Sequence, residues 1–143
     1  LAERVRALAD DPSARGTLHA IIGDWQTCIL ADLATMLDIH ADAVTFAEHA
    51  RGDQSVEAAS QCLAAYLKAT AAWMVHTGYH NNRIVMNEGF FDPVFYGLCA
   101  LRGKLGEEAL MTQVVDPAVA AASARTDPQF VGYVIETVLG QRR

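Results

Sequence analysis

Each of the four prolines in this chain follows an aspartate: Asp11-Pro12, Asp92-Pro93, Asp116-Pro117 and Asp127-Pro128. No other feature constrains the fold as much. An Asp carboxylate accepts hydrogen bonds from the free N–H groups of a helix's first turn. Pro has its φ angle preset and no N–H to leave unsatisfied at the first helical position. The four pairs therefore predict helix starts joined by tight connections.

The remaining composition agrees with helices. Apolar residues make up 52% of the 143 positions and charged residues 20%, which gives one domain with a real core and excludes general disorder. Alanine, the best helix former, is concentrated in the stretch 118–124. The prediction is an all-α, single-domain bundle over residues 1–143, with about seven or eight helices. The chain opens on Leu1, already inside a helical pattern (Leu1, Val5, Leu8), so an upstream segment is expected.

Periodicity places the elements. Leu18, Ile21, Ile22, Trp25, Cys28, Ile29, Leu33 and Met36 predict a helix over Thr17 to Leu37. Asp38 to Asp42 reads as a break with Asp42 as cap, followed by a short helix that ends at a left-handed Gly52. Asp53 to Ser55 starts a long helix that Gly78 stops. Residues 79–91 fit either a loop or a short helix. Asp92-Pro93 opens a helix to about Leu101, and Gly103 to Gly106 forms a turn. Glu107 to Val115 is the next helix, and Asp116-Pro117 and Asp127-Pro128 open the last two. The final helix carries Phe130, Val131, Val134, Ile135, Val138 and Leu139, a band wide enough to run through the core or to meet a second copy in a homodimer.

The charge limits the partners. Seventeen acidic against eleven basic side chains give −6, with no basic stripe to face phosphates, so direct nucleic-acid binding by this segment is disfavoured. No apolar run reaches the ~20 residues that span a bilayer, and a membrane role is not expected. Cys28, Cys62 and Cys99 are far apart and odd in number, which suits buried free thiols in a cytoplasmic protein.

One segment mixes polar groups with aromatics. Trp73, His76, Tyr79, His80, Glu88, Phe95 and Tyr96, with Trp25 from the earlier helix, are the candidate ligand-binding residues. Aromatic walls supply affinity and a few polar groups supply orientation. The bland reading is a solvated connection between helices. His76 and His80 are four apart, a metal-like spacing, but Gly78 between them ends the helix and no third ligand has a motif spacing. No metal or cofactor is assigned. Ser13, Ser55, Ser60 and Ser123 lie in no nucleophile elbow, so no catalytic residue is assigned either. Gly23, Gly97 and Gly132, inside predicted helices beside aromatics, suggest close helix crossings or room for a bound apolar molecule.

The leading expectation is a non-enzymatic helical binding domain, homodimeric, that accepts a small apolar effector or a protein partner. The ligand-binding halves of helical bacterial regulators offer an architectural analogy without shared motif residues. Two alternatives are a metal-assisted enzyme using His76, His80 and Glu88, and an acidic adaptor or inhibitor of a basic protein.

Overall fold

The computed structural model describes residues 30–53, 55–77 and 88–140, with positions 3, 6, 7 and 10–12 before them and the side chains of 30–33, 77 and 88–90 excepted. Within these residues the chain is all-helical and has no strand. The helices are α1 (Leu30–Arg51), α2 (Val56–Thr77), α3 (Glu88–Leu105), α4 (Glu107–Leu110), α5 (Asp116–Ser123) and α6 (Pro128–Leu139). A π-helical turn, Met111–Val115, joins α4 to α5 without a break. Counting that continuous stretch as one rod, the described residues hold five rods. The first helix expected from sequence lies largely outside them, as do Gly23, Trp25 and Cys28.

Helix α2 is the centre of the bundle. It packs on α1, on the π turn, on α5 and on α6, while α3 lies across α1. Its buried residues Leu63, Tyr66, Leu67, Thr70, Trp73 and Met74 reach several neighbours. Ser55 begins the helix as expected: its Oγ accepts the Ala58 N–H at 3.1 Å.

Helix α1 departs from the sequence-based reading. No break occurs at Asp38–Asp42, because the chain is helical throughout Leu30–Arg51. Asp38 and Ala41 are exposed, whereas Met36, Ile39, Ala43, Phe46 and Ala50 are buried. Asp38 and Ala41 lie on the solvent face of a continuous helix while His40 turns inward, so the polar cluster does not end the helix. Gly52 is not left-handed either. Among the described glycines only Gly106 has a positive φ, of 85°. The end of α1 is held instead by Lys104, whose Nζ donates to Ala50 O at 2.7 Å and to Gly52 O at 3.0 Å. A cation at the negative end of the helix satisfies the carbonyls that a glycine motif would otherwise take up.

The Asp-Pro pairs divide. Asp127-Pro128 starts α6 as predicted: Asp127 is the N-cap, Oδ1 accepts the Gln129 N–H at 2.9 Å, and Pro128 opens the helix. Pro12 sits in a 3₁₀ turn, and positions 13–29 lie outside the described residues. The other two pairs are internal. Pro93 lies inside α3, past its first turn, where it removes a single backbone bond while Phe91 and Val94 on either side are buried. Pro117 comes directly after the π turn, in which the Asp116 N–H reaches back five residues to Met111 O. A proline ring crowds the carbonyl four residues earlier, and a widened turn relieves that crowding. The expected turn at Gly103–Gly106 shrinks to Gly106, because α3 continues to Leu105.

Helix α6 buries Val131, Val134, Ile135 and Val138 against α2, α5 and α3, and the flanks of its apolar band, Phe130 and Leu139, are partly buried. No helix among the described residues is long and apolar enough to cross a membrane.

Candidate functional site

The residues singled out in the sequence do not form one site among the described residues. Trp73 is buried in the core, and His76 is exposed in the last turn of α2. Their rings are tilted at a centroid separation of 6.2 Å. Together with Thr35, Asp38 and Ile39 of α1 they line a shallow space of about 480 Å³ between α1 and α2. Phe95 and Tyr96 lie on α3, packed edge to face at 5.2 Å, and do not line that space. Glu88 begins α3, but its side chain is outside the described residues, as are Trp25, Tyr79 and His80. The described residues contain no cluster of three or more His, Cys, Asp or Glu side chains arranged to hold a metal ion.

The glycines separate as well. A Cβ on Gly97 would stand 2.7 Å from Phe46 Cε2 and 3.3 Å from Ala47 Cα, so this glycine permits the close α1–α3 crossing. Gly132 has nothing within 4 Å of such a Cβ and carries no packing reason.

The largest groove described lies elsewhere, between α2 and the rod formed by the π turn and α5. Its volume is about 790 Å³, within the range of small-molecule sites. The apolar surface comes from Val56, Ala64 and Ala65 on one wall and Pro117, Ala121 and Ala122 on the other. Two helices can pack closely through alanines, but short side chains do not fill the space above the seam. Ser60 closes the floor: it is buried, and its Oγ donates to Val114 O at 2.9 Å. That bond ties α2 to the π turn. Gln61 and Gln113 add an amide on each wall.

The rim carries charge unevenly. Glu57 stands near the start of α2, and Lys68 comes eleven residues later on the same helical face, about 16 Å further along the axis. Arg125, just beyond α5, joins Lys68 in lining the groove. Two other described cations are engaged: Arg102 pairs with Glu107, and Lys104 holds the end of α1. The side chains of Lys68 and Arg125 have no ion pair or hydrogen bond among the described residues.

Burial shifts several titratable groups elsewhere. Burial holds the His40 imidazole below its ordinary pKa, with the nearby Asp11 charge opposing the shift. Burial pushes the Asp42 carboxyl up, and Asp38 adds to this. The Cys62 thiol is raised by burial and by Asp42, against a reactive thiolate. Cys62 and Cys99 are free and half-buried. Burial also raises the Tyr66 phenol. Thr70 offsets this slightly, although its hydroxyl donates to Tyr66 O at 2.8 Å. The Tyr66 Oη itself has no partner with hydrogen-bonding geometry among the described residues.

Sequence reasoning missed the groove. Its signal was two rows of exposed residues spaced mostly four apart, Glu57, Gln61, Ala65 and Lys68, and Gln113, Pro117, Ala121 and Arg125, with alanine where a solvated face usually carries charge. No protein family model, no curated protein and no solved structure matches this chain.

Proposed function

We propose that this chain is a non-enzymatic helical binding domain that takes a small, largely apolar effector in the groove between α2 and α5. The observation that carries the reading is the groove itself: an alanine-rich space of about 790 Å³ with one amide on each wall and a few charged side chains among its lining. Apolar walls provide affinity and a few placed polar groups fix orientation. The groove is complete within one chain. Val131, Val134, Ile135 and Val138 of α6 are buried within the chain, while Phe130, Tyr133 and Leu139 keep exposed surface for the expected homodimer, which light scattering reads directly. Of the other readings, the metal-assisted enzyme rests on His80 and Glu88, whose side chains lie outside the described residues. The acidic adaptor rests on net charge alone.

The test is thermal melting across a library of small hydrophobic compounds, run on the native chain and on Ala121→Trp. Ala121 is exposed, so an indole there fills the groove without entering the core. A ligand at 100 times its Kd raises stability by about 2.7 kcal/mol, an easily read shift. Stabilisation of the native chain but not of the variant supports the site. Equal stabilisation of both moves binding elsewhere and rejects it.

A further inference from the structure

We propose that the groove selects a monoanionic amphiphile, an apolar chain ending in a single carboxylate, with Lys68 and Arg125 holding the anionic head. The inference rests on the groove reading above and adds the chemical class of its ligand. Three observations carry it. The chain has a formal charge of −6, yet both walls of its largest described groove bring a cation to it. Neither cation is engaged by a protein carboxylate or carbonyl among the described residues. Apart from Glu57, the amides of Gln61 and Gln113 and the Ser60 hydroxyl, which is spent on Val114 O, the remaining lining is Val, Ala and Pro side chains that offer an alkyl chain contact.

The two cations do different work. The Arg125 guanidinium presents a planar fork that matches a carboxylate's two oxygens, and the Lys68 ammonium adds a compact, mobile charge. Glu57 sets the polarity. It lies about 16 Å along α2 from Lys68, twice the ~8 Å over which physiological salt screens exposed charges, so it does not cancel the cationic end. It does repel a second negative group at the far end of a long ligand. The groove therefore favours one carboxylate followed by an apolar or cationic tail, and disfavours an α,ω-diacid.

The experiment is calorimetric titration at low salt with decanoate, decanol and decylamine, each below its micellar concentration. A second pair, ω-aminododecanoate and dodecanedioate, probes polarity. The proteins are the native chain, the double variant Lys68→Gln with Arg125→Gln, and Ala121→Trp. All three substituted side chains are exposed, and circular dichroism and melting verify that each variant is folded. The expected result is decanoate binding about ten-fold tighter than decanol, a gap that narrows as salt rises. The double variant loses that gap, Ala121→Trp loses both ligands, and ω-aminododecanoate binds more tightly than dodecanedioate.

Decanol equal to decanoate, with both blocked by Ala121→Trp, overturns the anion selection and leaves the groove reading standing. A carboxylate preference that survives in the double variant also overturns it, because the head group is then held elsewhere. If no compound of the series binds, the proposal falls, and the wider library on Ala121→Trp decides separately whether the groove reading falls with it.

Discussion

The α1–α3 crossing and the α2–α5 seam are both made from small residues, and they end in opposite states. At the first, Gly97 of α3 lets the Phe46 ring of α1 lie against the helix backbone, and the junction is closed. At the second, Ala64 and Ala65 lie opposite Ala121 and Ala122, neither wall supplies an aromatic ring or a long apolar side chain to fill the seam, and the space stays open. A small residue is therefore not in itself a sign of a site. What matters is whether the opposing helix contributes a ring or an alkyl chain to occupy the room it leaves.

Added bulk should tell the two junctions apart most clearly. Gly97→Val is expected to destabilise the fold by about 2–3 kcal/mol, because the added side chain overlaps a buried ring. Gly97→Ala gains about 1 kcal/mol of helix propensity, but its Cβ would stand 2.7 Å from Phe46 Cε2. A net loss smaller than that of the valine variant is expected. Urea midpoints check both, and a Gly97→Ala chain more stable than native would mean that the crossing yields and is not tight.

Next in size is the Ser60 bond on the groove's floor. Ser60→Ala leaves Val114 O without its side-chain donor in a buried position and is expected to cost about 1–2 kcal/mol. A neutral result would detach the π turn from α2 as a unit of stability.

Acidity probes α1 away from both junctions. His40, which lines a space with Asp11, Leu37 and Val44, is buried with its folded pKa lowered, so above about pH 6.5 both folded and unfolded imidazoles are neutral and the group has no effect. As pH falls below that value the unfolded chain takes up the proton first, and stability declines until the folded pKa is passed. Melting between neutral and mildly acidic pH is expected to show this loss, and His40→Gln to flatten it. Unchanged slopes in the variant would place the titration in another group.

The least change belongs to the groove's walls. Ala65→Leu and Ala121→Leu point into open space and are expected to change stability by no more than about 0.5 kcal/mol. A loss as large as that of Gly97→Val would mean that the seam is filled, and would erase the distinction between the two junctions.

The all-helical class was legible because alanine content and period-3.6 patterning agree over long stretches. The boundaries were less so. Asp127-Pro128 announced its helix because nothing upstream competed: residues 124–126 form the connection. Asp92-Pro93 misled, since α3 is already under way at Glu88, and Asp116-Pro117 marks the start of α5 without a break before it, because burial of Phe91, Val94, Val114, Val115 and Ala118 outweighs one missing backbone bond. Local chemistry cannot report that balance. The groove was hidden for a related reason. Lys68 and Arg125 are remote in sequence, each ordinary on its own helix, and only the packing of α2 on α5 brings them to one space.

The π turn also sets the phase of the rod beyond it. Leu110, Val114, Ala118 and Ala122 are all buried although they recur every fourth residue. In a regular helix such a row slips sideways by about 40° per step. The wide turn absorbs part of the slip and keeps the row in phase with the core. Deleting one residue between Met111 and Val115 would remove that correction and swing the rod beyond it by about 100°. Ala118 and Ala122 would turn toward water, and Arg125 would leave Lys68. The face that α5 turns to the groove is thus written in a length of chain rather than in any single side chain.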